Sequence, residues 1–296
     1  MDGILVIDKP RGMTSHDVVT QVRRLSHQQR VGHAGTLDPM ATGVLLVCLG
    51  RATRVAEYLI GSDKTYRAVM RLGVETDTYD AKGQVIATRP VTVSESDLRR
   101  ALASFVGEID QVPPMYSALK REGKPLYKLA RKGVEVEREP RRVKIYDISL
   151  REWQASGQPT LTVDVRCSSG TYIRSLAHDV GVALQCGAHL AALTRLASGS
   201  FTIEEAVNLQ DLAGLPDLQG LLRPLDAALQ DLPAITLDAD QARCVTRGQA
   251  IAVNGIEASS DLFRVYNSSG ALLAIMDYDS SIRLLRPKKV LAGENI

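Results

Sequence analysis

Apolar residues along the chain collect in short runs and alternations, set apart by polar, glycine-bearing stretches. Gly3 to Asp8 is a nearly continuous apolar run with the length of a buried strand, and Lys9-Pro10-Arg11-Gly12 reads as the turn after it. Thr14 or Ser15 is placed to cap a helix whose apolar face is Val18, Val22 and Leu25. Gly32 to Gly43 carries Gly, Pro and Thr without any period and reads as a loop, after which Val44 to Leu49 returns to strand. Lys64 to Leu72 is strand-like, and Thr76 to Gly83 is polar and turn-rich. Ser94 with Asp97 forms a capping box before Leu98, Ala101, Leu102 and Phe105, which predicts a helix. Val143 to Trp153 and Leu161 to Cys167 alternate as strands, and Thr171 to Leu184 reads as a helix. This irregular order of strands and helices favours an α+β fold over a doubly wound sheet.

The pattern changes near the C-terminus. Residues 216–233, rich in Asp, Pro and Leu, read as a connector. Short strands follow around Ile251, Phe263 to Tyr266, Leu272 to Met276 and Ile282 to Leu285, with Asn267-Ser268-Ser269-Gly270 as a turn between two of them. The expected division is a first domain over residues 1–230 and a small β domain over residues 231–296.

Composition adds little until charge is located. Hydrophobic residues make up 45% and charged residues 24% of the 296, as in ordinary globular proteins, and the net charge is only +2. From Lys120 to Lys144, however, ten Lys or Arg stand against four Glu. Such a stretch is suited to RNA phosphates, and equally to a solvated helix face. The cysteines Cys48, Cys167, Cys186 and Cys244 include no CxxC pair, so no zinc site of familiar spacing is expected. Val44 to Leu49, the longest strongly apolar run, is far too short to span a membrane, and no secretion signal is evident, so a cytoplasmic protein is expected.

The chemistry search begins with exclusions. There is no P-loop, no G-x-S-x-G elbow and no G-x-G-x-x-G after a strand, so no nucleotide cofactor is expected. The most unusual segment is Gly32 to Pro39. Proline disfavours the helical region for the residue before it, which holds Asp38 extended, and Gly32 and Gly35 allow close backbone approach. The same features fit a turn in which Asp38 merely caps backbone amides.

Gly32-His33-Ala34-Gly35-Thr36-Leu37-Asp38-Pro39-Met40-Ala41-Thr42-Gly43-Val44-Leu45 closely resembles the catalytic motif of TruB-type pseudouridine synthases. Four further segments match that family in order. They are Asp8-Lys9-Pro10 with Gly12-Met13-Thr14-Ser15; Lys64-Thr65-Tyr66 with Arg71-Leu72-Gly73, Thr76-Asp77-Thr78 and Asp80; Pro114 to Lys120; and Ser169 to Leu176. The match runs over roughly residues 3–205. The C-terminal strands resemble the PUA-type RNA-binding domain of these enzymes, on thinner evidence: Phe263 to Tyr266, Gly270 and Arg286-Pro287-Lys288-Lys289.

The resemblance implies a catalytic domain with a mixed or antiparallel sheet, a tRNA-gripping thumb near residues 108–142, and conversion of uridine to pseudouridine in the T loop of tRNA, at the position called 55. It implies no metal, no cofactor and no guide RNA. Asp38 would be the catalytic carboxylate, Arg174 its partner, and Tyr66 the ring stacked on the uracil. Asp80 would hold Arg174 from the other side. Tyr172 and Leu193 would line the uridine pocket, His33 would fill the space left by the flipped base, and Lys64 would pack beside Tyr66 or contact phosphate. Lys120, Lys124, Lys128, Arg131 and Arg195 would meet the RNA backbone, and the PUA-like domain would reach RNA outside the T loop, on the acceptor side. A monomer with no obligatory protein partner is expected. This sequence departs from the family at His178, where many relatives carry an acidic residue, and at Thr194, where a second arginine is common. The rival reading is a tRNA-binding or folding module without catalysis.

Overall fold

The computed structural model describes residues 1–117, 119–121, 124–130, 134, 136–253 and 260–292. In chain order the strands are β1 (Gly3–Lys9), β2 (Val31–Ala34), β3 (Thr42–Leu49), β4 (Lys64–Leu72), β5 (Val74–Thr76), β6 (Val85–Thr88), β7 (Gly107–Gln111), β8 (Lys120–Arg121), β9 (Lys124–Pro125), β10 (Arg141–Gln154), β11 (Thr160–Cys167), β12 (Ala188–Ser198), β13 (Phe201–Thr202), β14 (Val207–Asn208), β15 (Ala234–Thr236), β16 (Ile251–Ala252), β17 (Leu262–Tyr266), β18 (Leu272–Asp279) and β19 (Leu284–Val290). The α-helices are α1 (Ser15–Ser26), α2 (Ala56–Gly61), α3 (Glu95–Ala103), α4 (Leu126–Ala130), α5 (Ile173–Ala183) and α6 (Ala239–Thr246).

The large sheet runs β14-β1-β3-β12-β4-β11-β10-β7, with β2 on β3 and β13 on β12. It is mixed: β1 pairs β14 and β12 pairs β3 in parallel, while the other pairs are antiparallel. The apolar run of β1 has a direct reason. Leu5 and Ile7 join the core under α1, α3 and α5, while Ile4 and Val6 join a second core on the opposite face, so neither face meets water. Thr14 caps α1, its hydroxyl accepting from Asp17 N–H at 3.1 Å while Asp17 accepts from Thr14 N–H at 2.8 Å. The expected Ser94–Asp97 capping box is present at α3.

Two expectations need correction, and one strand had no expectation. The stretch from Gly32 to Gly43 is not loop throughout: β2 pairs antiparallel with β3, His33 opposite Val47, and β3 begins at Thr42. Only residues 35–41 are left as the loop. Ala188–Ser198, rich in Ala and Leu, carries no strand signal, yet β12 is the centre of the sheet, where pairing to β4 and β3 overrides local preference. The last strand lies at Leu284–Val290 rather than at Ile282 to Leu285, because Arg283 takes a left-handed φ of 54° and ends the preceding turn.

A five-stranded sheet, β15-β17-β18-β19-β16, follows with α6 against it, around Phe263, Val265, Leu273, Met276 and Leu285. It docks on α2 through Val55, Leu229, Ile275 and Leu291. Lys289 pairs with Glu57 at 2.9 Å and donates to the Arg54 carbonyl at 2.7 Å across the same contact. Among the described residues, no helix is long and apolar enough to cross a membrane.

Candidate active site

The loop of residues 35–41 hangs between β2 and β3 and is pinned by residues far apart in sequence. The Ser15 hydroxyl accepts from Leu37 N–H at 2.9 Å and lies 3.2 Å from the Leu37 carbonyl. The Pro39 carbonyl accepts from Gly12 N–H at 2.7 Å, and the Asp38 carbonyl from Ala41 N–H at 3.0 Å. From β12, Arg195 donates Nε to the Val44 carbonyl at 2.6 Å and Nη2 to the Gly35 carbonyl at 3.1 Å. Gly43, opposite Arg195 in the parallel β3–β12 pair, has a φ of 95°, and a side chain there would run into the Arg195 backbone. Glycine at this position therefore permits the close approach of the two strands.

Asp38 faces a buried cation. Arg174, second residue of α5, brings Nε to 2.9 Å and Nη2 to 3.3 Å from the two carboxylate oxygens. The same guanidinium donates Nη2 to the Tyr116 carbonyl at 2.8 Å and lies 3.7 Å from an Asp80 oxygen through Nη1. Arg174 and Asp80 are 5% and 10% exposed, whereas Asp38 keeps 36% of its side chain accessible. The catalytic candidate is thus the member of the trio that opens outward. Desolvation by the surrounding protein raises the Asp38 pKa above the ordinary aspartate value; Arg174 and then Lys9 oppose that rise, while Asp80 adds to it. The result is an ion-paired carboxylate more basic than a free one.

The start of α5 is fixed by Gln111 at the end of β7. Its side-chain oxygen accepts from Tyr172 N–H at 2.7 Å and its amide donates to the Tyr172 carbonyl at 3.1 Å. Ser175 donates to the Val112 carbonyl at 2.8 Å. Tyr172 is half-buried, and burial raises its phenol pKa, with Arg174 and Asp38 among the charges that act on it. Tyr66 on β4 lies in register between Val165 and Arg195. Burial raises its phenol too, Arg195 lowers it, and the Asp38 charge is felt there. Leu193, buried in the main core, pairs with Ala68 two residues along β4 from Tyr66. Asp38, Arg174, Asp80, Tyr66 and Tyr172 are therefore brought together from distant parts of the chain. His33 stands on β2 with Nδ1 buried and unpartnered among the described residues, and desolvation lowers its pKa, which keeps the ring neutral at neutral pH.

Two expected RNA contacts are corrected. Lys64 is buried, and its ammonium donates to the carbonyls of Ser62 (2.6 Å), Ile60 (2.8 Å) and Leu59 (3.0 Å). It closes the C-terminal end of α2 and has no reach to phosphate. Arg195 is 1% exposed and committed to Val44 and Gly35, so it braces the loop instead of gripping RNA. Lys120 and Lys124 stand on the β8–β9 hairpin and Lys128 on α4. Arg131 and the side chains of those three lysines lie outside the described residues.

Four contributors escape the sequence reading. Ser15, Gln111 and the Tyr116 carbonyl act through contacts with residues distant in sequence, which leave no local signature. Lys9 does leave one, a cation ending an apolar run. It is fully buried, donates to the carbonyls of Met13 (2.7 Å) and Pro10 (3.0 Å), and its pKa is drawn down by desolvation to about 8.

Comparison with known proteins places nearly the whole chain. Residues 23–173 match the TruB family pseudouridylate synthase N-terminal domain, and residues 174–230 match the tRNA pseudouridylate synthase B C-terminal domain. The chain is 46% identical over 301 residues to a Ralstonia pickettii protein named tRNA pseudouridine synthase B, covering 98% of this chain and 94% of that one. A protein of the same name from Aromatoleum aromaticum is 47% identical over 294 residues, covering 99% and 93%. Among solved structures, a chain of a Cbf5-Nop10-Gar1 complex superposes with a TM-score of 0.76 at 29% identity, covering 99% of this chain and 86% of that one. The chain belongs to the TruB family of pseudouridylate synthases.

Proposed function

We propose that the protein isomerises uridine to pseudouridine in the T loop of tRNA, at the position called 55, with Asp38 as the catalytic carboxylate. The observation that carries this reading is the sharing of one buried guanidinium, that of Arg174, between an accessible carboxylate and a secluded one. That arrangement pairs an accessible carboxylate with a cation that favours its ionised form. Family membership and the name shared by relatives at 46–47% identity supply the substrate class.

The net reaction requires little else. The bond between the ribose C1′ and N1 of the base breaks, a bond from C1′ to C5 forms, and the proton on C5 is lost while N1 gains one. No electrons are gained or lost, so the reaction needs no redox partner. The base must first leave its stack, at a cost of a few kcal/mol. Tyr66, stacking on the uracil at ~1–3 kcal/mol, holds a base that has no covalent tie to the RNA, and Tyr172 and Leu193 close the pocket around it. His33, neutral on its strand, occupies the space the base leaves.

Residues 1–230 form the catalytic domain in this reading, with the thumb near 108–142 gripping phosphates of the T stem. Residues 231–296 form a PUA-like domain that meets the acceptor side. The protein acts as a cytoplasmic monomer, without guide RNA or an obligatory protein partner.

The test is nucleoside analysis of an unmodified T stem-loop incubated with the purified protein alone. Pseudouridine is expected with the wild type, and Asp38→Asn or Asp38→Ala is expected to abolish it while binding persists. Pseudouridine formed by Asp38→Ala would refute the assignment. Wild-type binding without turnover would favour the non-catalytic module.

A further inference from the structure

The turn carrying Asp80 is held by an aromatic pair that makes none of the Asp38–Arg174–Asp80 contacts. Tyr79, the residue before it, adopts a left-handed φ of 62°, an uncommon conformation for a bulky side chain. Its ring stacks on His178, with centroids 4.1 Å apart and planes 12° from parallel. His178 follows Arg174 by four residues on α5, so the two side chains leave the same face one turn apart. The turn and the helix are therefore joined twice, once by the Asp80–Arg174 ion pair and once, a helical turn away, by the stacked rings.

The other contacts of this turn go elsewhere. The Asp80 carbonyl accepts from the Thr76 hydroxyl at 2.8 Å, and Asp80 Oδ1 accepts from the Thr78 hydroxyl at 2.8 Å and Lys82 N–H at 2.9 Å. The Tyr79 carbonyl accepts from Leu190 N–H at 2.9 Å, and Ala81 N–H donates to the Leu190 carbonyl at 3.0 Å. All of these partners lie in the turn itself or on β5 and β12, and none on α5. They anchor the turn on β5 and β12, and none of them reaches α5 directly. His178 Nδ1 is buried without a hydrogen-bond partner among the described residues, so the imidazole contributes here through its face.

We propose that Tyr79 and His178 are a positioning pair that sets the Asp80 carboxylate on Arg174 and, through that guanidinium, holds Asp38 in place for catalysis. The proposal rests on the reading of Asp38 and Arg174 as the catalytic centre. It assigns work to a pair of rings outside the Asp38–Arg174–Asp80 contacts.

The experiment measures kcat and KM of the full chain on a T stem-loop for His178→Ala, His178→Phe and Tyr79→Ser, each checked by thermal melting. His178→Ala and Tyr79→Ser are expected to lower kcat about five- to tenfold with KM unchanged, and His178→Phe, which keeps a stacking ring, to restore it. The deciding arm repeats His178→Ala in an Asp80→Asn background. If the rings act through Asp80, the second substitution adds no further loss. An equal loss in both backgrounds, an unchanged kcat in His178→Ala, or failure of His178→Phe to rescue would each overturn the proposal. Should His178→Ala not fold, Tyr79→Ser and His178→Phe carry the same comparison. Asp38→Ala is run alongside: turnover surviving there sinks the catalytic reading and this proposal with it. Loss in Asp38→Ala with His178→Ala fully active sinks the positioning pair alone.

Discussion

Arg174 and Arg195 are both buried cations beside the Asp38 loop, yet they act on different things. Arg174 meets two carboxylates and one carbonyl, whereas Arg195 meets the carbonyls of Val44 and Gly35 and the Tyr66 hydroxyl, and no carboxylate among the described residues. A guanidinium on carbonyls shapes the backbone that bears Asp38. A guanidinium on carboxylates also changes how readily Asp38 holds a proton. Equal burial therefore says nothing about the role of a cation; its partners decide.

Breaking the Arg174 side of this comparison has the largest expected effect. Arg174→Ala leaves Asp38 and Asp80 without their shared cation, and loss of one member of a buried pair costs about 3–5 kcal/mol, read as a lower Tm. Turnover is expected to fall at least about a hundredfold. The pH dependence gives the sharper readout, best taken on Arg174→Lys. Desolvation already raises the Asp38 pKa, and Arg174 opposes it. Weakening that opposition moves the acid limb of kcat to higher pH, so activity is lost earlier as pH falls. An acid limb that stays in place would remove the electrostatic half of the contrast.

Arg195→Met should fail differently. It removes two hydrogen bonds from a charged donor to backbone carbonyls, a loss of about 1.5–3 kcal/mol, and frees the loop at Gly35. Stability and kcat are both expected to drop, kcat by about tenfold, while the acid limb remains where it is in the wild type. A shifted limb here would show that Arg195 also tunes Asp38.

Lys64→Met tests a cation further from the chemistry. Three carbonyls lose their shared donor, and Tm should fall by an amount matching about 1–3 kcal/mol, with kcat and RNA affinity unchanged. Burial draws the Lys64 pKa from 10.5 down to about 8. Between those values the unfolded chain keeps a proton that the folded chain has released, so this lysine makes stability rise with pH across the window. Urea unfolding from pH 8 to 10 should show a shallower rise in the variant than in the wild type.

These cations also mark how far the sequence could be read. Arg174 was legible because Ser169 to Leu176 matches a family motif that names the role of each position. Arg195 was misread because its strand, β12, carries Ala and Leu without clear alternation, and an arginine looks like a surface residue until the strand is known to be central. Lys64 was left open between packing and phosphate contact because its carbonyl partners come from a short helix whose end cannot be located from sequence. The Asp38 loop was legible as a candidate site but not as geometry: Asp38-Pro39 marked it, while Ser15, Gln111 and the Tyr116 carbonyl, which set its frame, depend on contacts across tens of residues. The Tyr79–His178 stack lies in the same class, since two rings about a hundred residues apart give no pattern along the chain.

The smallest expected effect lies at the solvent end of the same series. Asp164 on β11 accepts from Arg67 at 2.8 and 2.9 Å and from Arg151 at 2.7 Å. Its side chain is 11% exposed, but its partners are 50% and 55% exposed. Hydrogen bonds from Arg67 lead the causes that hold its pKa below the ordinary aspartate value. That stabilisation is present above the unfolded pKa and is lost as pH falls through the lower folded one. Water competes for both arginines, so Asp164→Asn should cost only about 1 kcal/mol near neutral pH, and less in acid. Turnover should be unchanged, because both arginines pair with Asp164 and not with Asp38. A loss comparable to that of Arg195→Met would mean that solvent exposure of the partners is a poor guide to what a cation holds in this fold, and the ordering drawn from burial and partner type would have to be abandoned.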